Sequence, residues 1–187
     1  MIRLLIGFLL FFSASDIFSA DASAYAKQEL LQEQRSLEYT AWEWRNIVGL
    51  LMDMDFQRPE KDIAYMKKLP LYQNLLLRSF LHRWRKTQHA RADYINQLTG
   101  SEAEHNPVAL KKLFREMLES YSTKGTVSAV FLSDLADQVA VHQNIYDENE
   151  MDDLIAFFPK IKSNMLKNSF FYILLSNGFF QRKELPP

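Results

Sequence analysis

Four residues of this chain stand at a spacing that could do chemistry together: Arg78, His82, Arg85 and His89. Their separations of 4, 3 and 4 place them within roughly 60° of one another on one continuous helix. Lys86 sits beside them, and no acidic residue occurs from Arg78 to Ala92. A stripe of this kind recognises anions: a carboxylate-rich face of a partner protein, a lipid headgroup or a glycan phosphate. Its two histidines add charge below neutral pH. The plainer reading is a solvated outer face, or one neutralised by an acidic helix of the same fold. Seven residues span about 10.5 Å of helix, so His82 and His89 are too far apart to share a metal ion.

Other candidates carry less. Asp147, Glu148, Glu150, Asp152 and Asp153 cluster before an apolar run. They lack the order and the glycine of a calcium loop, and carboxylates in a first helical turn are explained by the helix dipole. His142 falls on an apolar stripe and is read as a hydrogen-bonded core histidine. The order of serines, histidines and acids matches no hydrolase motif, and no phosphate loop or dinucleotide fingerprint occurs. No catalytic residue, metal ligand or cofactor site is assigned.

Glu119-Ser120-x-Ser122 resembles the acid motif of lytic transglycosylases, which implies a carboxyl in an apolar pocket with a raised pKa. The Gly-Leu-Met-Gln-like stretch of that family is replaced here by Gly125-Thr126-Val127-Ser128. The acidic turn from Glu150 with Leu154-Ile155-Ala156-Phe157-Phe158 looks like a signature of a family of exported helical bacterial proteins, without the Ser-x-x-Gly that follows there. That likeness implies no activity.

The elements that would position these residues begin after a leader. Arg3, the apolar run Leu4 to Phe12 and the small residues of Ala22-Ser23-Ala24 have the order of a secretory signal peptide. Residues 1–24 are read as that peptide, cleaved after Ala24 or after Ser15, and residues 25–187 as a single helical domain. The apolar run is about 14 Å long as a helix, short of the roughly 20 residues that span a bilayer. The expected location is the periplasm or the exterior. The chain has no cysteine, so disulfides and thiolate chemistry are excluded. Basic and acidic residues number 22 and 23, for a net charge of −1. A balanced chain is no general nucleic-acid binder.

Apolar residues recur at helical spacing almost throughout. Leu30, Leu37, Trp44 and Leu51 predict a helix over about 28–56 with Trp44 inward and Trp42 nearly opposite. Pro59 opens a short helix to Lys68. A long helix then runs over about 71–98, carrying Leu77, Phe80, Leu81, Trp84 and Ile95 inside and the basic stripe outside. Asn106-Pro107 starts the next. Helices over about 126–146 and 160–177 follow, with the segment Leu154 to Phe158 between them and stops at Gly125 and Gly178. The run from Phe170 to Leu175 is read as a core helix, or as a docking surface flanked by Lys162, Lys167, Arg182 and Lys183.

The fold class is all-α, an irregular bundle of six or seven helices. The expected function is that of a non-enzymatic exported interaction protein: an accessory, adaptor or inhibitor binding a protein partner with an acidic surface. Arg78, His82, Arg85, Lys86 and His89 are the candidate partner-binding residues, and an anionic lipid or glycan is the other anion considered. The alternative is a bundle that holds an apolar or anionic small ligand, or a glycan-cleaving enzyme.

Overall fold

A computed structural model describes residues 23–24, 27–29, 38–85, 89–100 and 106–179. The expected signal peptide up to Ala22, the positions Leu30 and Leu37, and Lys86 lie outside these residues, as does the side chain of His89. Every described element is helical, with no strand among the described residues. The helices are α1 (Ala41–Met52), α2 (Pro59–Lys68), α3 (Leu71–Trp84), α4 (His89–Gly100), α5 (Pro107–Lys124), α6 (Ala129–Ala140), α7 (Glu148–Ile155) and α8 (Asn164–Ser176). A 3₁₀ turn at Phe158–Lys160 separates the last two.

Local chemistry sets most of these boundaries. Asn106 caps α5 by accepting from the Val108 and Ala109 amides, and Pro107 occupies the first turn where no amide is needed. Gly125 closes α5 at φ 61°, a conformation that favours glycine. Ser128 caps α6 and Ser163 caps α8. The acidic cluster is a capping box: the Asp147 carboxylate accepts from the Glu150 amide, and the Glu150 carboxylate accepts from the Asp147 amide.

Three expectations about the helices change. A cap at Thr40, reciprocated by Glu43, starts α1 at Ala41, so no single helix runs from Gln28 through Trp44. The helix expected over 71–98 is two helices, because α3 ends at Trp84 and α4 begins at His89. That break adds one helix, and the eight α-helices named here agree roughly with the expected six or seven. The helix expected to reach Tyr146 stops at Ala140, and a turn with Asn144 at φ 55° carries the chain onward.

The packing has two halves that meet along α3 and α6. Helices α1, α4 and α6 all touch α3, and α2 packs on α4; α5 and α8 both touch α6. One buried cluster runs through both halves, from Ile47 and Leu51 through Leu76, Phe80, Phe114 and Phe131 to Phe170 and Ile173. Helices α6 and α8 are the most closely packed pair. Ser133 and Ala136, both buried, give α6 a narrow edge there, and Ser133 bonds to Ser169 across it at 2.7 Å. Trp44 packs edge-to-face on Phe80 at 5.6 Å, as an inward residue should. Trp42 is 46% exposed and stacks on Tyr72.

The halves are also tied by one buried carboxylate. Glu43 is fully buried on α1. Its Oε2 accepts from the Thr40 amide at 2.8 Å and the Thr40 hydroxyl at 2.9 Å. Its Oε1 accepts from the Ser128 amide at 3.0 Å and the Ser128 hydroxyl at 3.1 Å. One side chain thus serves the N-terminal caps of both α1 and α6.

Candidate functional site

The seam between α3 and α6 contains a cleft of about 190 Å³. Leu75, Phe131 and Leu135 make its apolar part. Arg78, Ser79 and His82 line it from α3, Thr99 from α4, and Asp134, Asp137 and Gln138 from α6. The α3 residues fall at i, i+1 and i+4 and the α6 residues at i, i+3 and i+4, so each helix turns one polar stripe toward the seam.

Inside the cleft the polar groups are spoken for. The Arg83 guanidinium grips the Asp134 carboxylate with two bonds, Nη2 to Oδ1 at 2.6 Å and Nε to Oδ2 at 2.9 Å. Asp134 also accepts from the Ser79 hydroxyl, and Ser79 meets the Tyr39 hydroxyl at 2.8 Å. Ser79 donates to the carboxylate, so Tyr39 is the donor to Ser79. Burial holds the Tyr39 phenol well above its ordinary pKa, so it stays a donor at any physiological pH. A nucleophilic serine needs a base that takes its proton. Ser79 faces instead a carboxylate already neutralised by arginine, and no histidine is bonded to it among the described residues.

The basic residues have different fates. Arg78 is partly buried and donates to the Thr99 carbonyl at 2.9 Å, tying α3 to α4, and burial lowers its pKa. His82 is exposed at the rim, and Arg85 is partly buried just past the end of α3. His89 opens the next helix. The 4-3-4 spacing puts these residues on one face only if the helix is continuous, whereas α3 ends at Trp84 and α4 begins at His89. Arg78 and His82 therefore share the cleft, Arg85 does not line it, and the His89 side chain lies outside the described residues.

Sequence reasoning missed the opposite wall. Asp134, Asp137 and Gln138 supply the acidic helix that answers the basic one. Their own i, i+3, i+4 spacing was the available signal. Asp137, on the rim, is raised above the usual carboxylate range by partial desolvation, against the Ser169 hydroxyl and the charges of Arg83 and His82, which lower it.

The remaining candidates stand elsewhere. Glu119 is exposed on α5 and pairs with Arg115 at 3.5 Å, so the apolar pocket implied by the transglycosylase resemblance does not surround it. The Ser122 hydroxyl is turned onto the Leu118 carbonyl. His142 lies half-buried in the turn after α6 rather than on a core face. No group of three histidine or carboxylate side chains is placed to hold a metal among the described residues. Comparison with protein-family models, with curated proteins and with solved structures finds no match for this chain.

Proposed function

We propose that the protein is a non-enzymatic interaction protein, exported to the periplasm or the exterior, that binds a protein partner across the rim of the α3–α6 cleft. One observation carries this reading: Asp134 in the cleft wall is already paired with Arg83 and Ser79, and the exposed polar groups of the lining stand at its rim. At about 190 Å³ it is smaller than the roughly 300–1,000 Å³ of small-molecule pockets. His82, Asp137 and Gln138 are exposed around it. A partner carboxylate would meet Arg78 and His82 on the α3 side, and Asp137 asks for a cation opposite the α6 side. The expected partner thus presents an acidic group with a basic neighbour, a narrower demand than a uniformly acidic face.

The second reading is a small anionic ligand seated against Arg78 over Leu75, Phe131 and Leu135. The partly buried guanidinium above an apolar floor favours it.

A photo-crosslinking residue at Gln138, in cells, tests the proposal against the same residue at Asn149 on α7. One partner band at 138 that is absent at 149 and weakened by His82→Glu supports it. Equal bands at the two positions, or none, would end the protein-partner reading. A melting temperature raised by small dicarboxylates and lost in Arg78→Gln would favour the ligand instead.

A further inference from the structure

The outer face of α8 is not composed like a solvated helix. Met165, Asn168, Phe171, Tyr172 and Leu175 all lie on it and all are exposed, Tyr172 at 59% and Leu175 at 48%. None of them is charged. The charges stand at the edge instead. Lys167 holds its ammonium over the Phe158 ring at 5.8 Å, and Lys160 does so over Phe157 at 5.0 Å. Lys162 is exposed between them, and Phe158 is itself 37% exposed. From Leu154 to Gly178 the chain has three lysines and no acid. Of the acids on the adjoining α6, Asp134 is neutralised by Arg83. Asp137 is bonded to Ser169, and the cations that act on it are Arg83 and His82 rather than the three lysines.

The geometry points to this face as a docking surface for an anionic lipid bilayer, with α8 lying in the plane of the interface. Exposed aromatic and aliphatic side chains enter the headgroup–acyl boundary, and lysines at the edge of the apolar face meet lipid phosphates. Lysine stems also pack along apolar surface while their ammonium groups stay in the polar layer. Water alone suits the lysines and leaves the aromatics exposed. A second copy of this face would cover the aromatics and bring lysines toward lysines. An anionic membrane surface suits both. The mode is peripheral: no described helix is long and apolar enough to cross a bilayer. This surface adjoins the α3–α6 seam at Met165, whose sulfur lies 4.0 Å from Arg83 Nη2, and the inference stands independently of the proposed function.

The test is co-sedimentation of the purified protein with vesicles of phosphatidylcholine alone and with vesicles containing about one third phosphatidylglycerol. Binding is expected only to the anionic vesicles and should weaken as salt rises above physiological strength. Replacing Lys160, Lys162 and Lys167 together by glutamine should lower the partition coefficient on the order of a hundredfold, since each lysine near an anionic surface contributes about fivefold. Tyr172→Asp should lower it at least about tenfold by removing an inserted ring. Val108→Asp, an equally exposed apolar site on α5, should leave it unchanged. Melting temperatures confirm that each variant is folded, which the exposure of these positions, with Lys167 half-buried, leads us to expect. Absence of binding to anionic vesicles would overturn the inference. So would binding that Tyr172→Asp does not alter, or a Tyr172→Asp variant whose only change is dissociation of a dimer.

Discussion

The buried carboxylate of Glu43 offers the sharpest test of how the two halves are joined. Replacing it by alanine removes four hydrogen bonds, at 2.8, 2.9, 3.0 and 3.1 Å. The Thr40 and Ser128 hydroxyls can rotate toward other acceptors. Their backbone amides cannot, and an orphaned buried donor costs about 1–3 kcal/mol. One buried orphan at Ser128 and one partly buried at Thr40, plus the void left by the missing side chain, set the expected loss at about 3–5 kcal/mol. Glu43→Gln keeps one oxygen. Its amide nitrogen then faces either the Thr40 or the Ser128 backbone N–H, donor against donor, so about 1–3 kcal/mol should be lost. Urea unfolding followed by circular dichroism reads both as a lower midpoint at unchanged slope. The exposed pair Lys112–Glu116, at 3.9 Å, is the control, and Glu116→Ala should cost under about 0.5 kcal/mol. A Glu43→Ala loss below about 1 kcal/mol, or one equal to that of Glu43→Gln, would refute the double-cap reasoning.

Further outcomes follow from other sites. Asp62 is buried, and burial raises its pKa against the Asp55 and Phe56 amides, which lower it; Asp137 is raised chiefly by the same cause. The stability each contributes on protonation is fully present below the unfolded value near 3.9 and is lost as pH rises through the raised folded value. Carboxyl carbon titrations by NMR should therefore show both midpoints above the free-aspartate value near 3.9, and a midpoint at or below it for either group would contradict the desolvation argument. A double-mutant cycle on Arg83→Ala and Asp134→Ala should return a coupling of about 1–2 kcal/mol, since the pair is doubly bonded yet about one-fifth exposed; additive losses would show that it does not join α3 to α6. Trp44→Ala should cost about 2–4 kcal/mol and Trp42→Ala about 1 kcal/mol, the latter through its stack on Tyr72. Equal losses in thermal unfolding would mean that the packed face of α1 is not the one facing Phe80.

Local chemistry made much of the architecture legible. The starts at Pro59 and Pro107 and the stops at Gly125 and Gly178 rest on groups within a few residues of the boundary, as does the capping role of Asp147 and Glu150. No distant contact is needed to deduce them. The helical class follows equally from apolar spacing. The break between Trp84 and His89 is different. The run Arg85-Lys86-Thr87-Gln88 contains neither glycine nor proline, so periodicity carries straight across it and a reader sees one helix with one basic face. The start of α1 is an intermediate case, since Thr40 and Glu43 spell a capping box that the heptad from Leu30 to Leu51 overrides.

The candidate cleft was half visible. Arg78 and His82 announce themselves by type and spacing. Nothing nearby in sequence says that Arg78 bonds to Thr99, that Asp134 takes Arg83 and Ser79, or that Asp137 and Gln138 form the facing wall. Those partners are 21 to 55 residues apart. The charge of a helix face is a property of its own sequence. Whether that charge is free, buried or neutralised depends on which other helix lies across from it, and here that was decided only when α3 packed against α6.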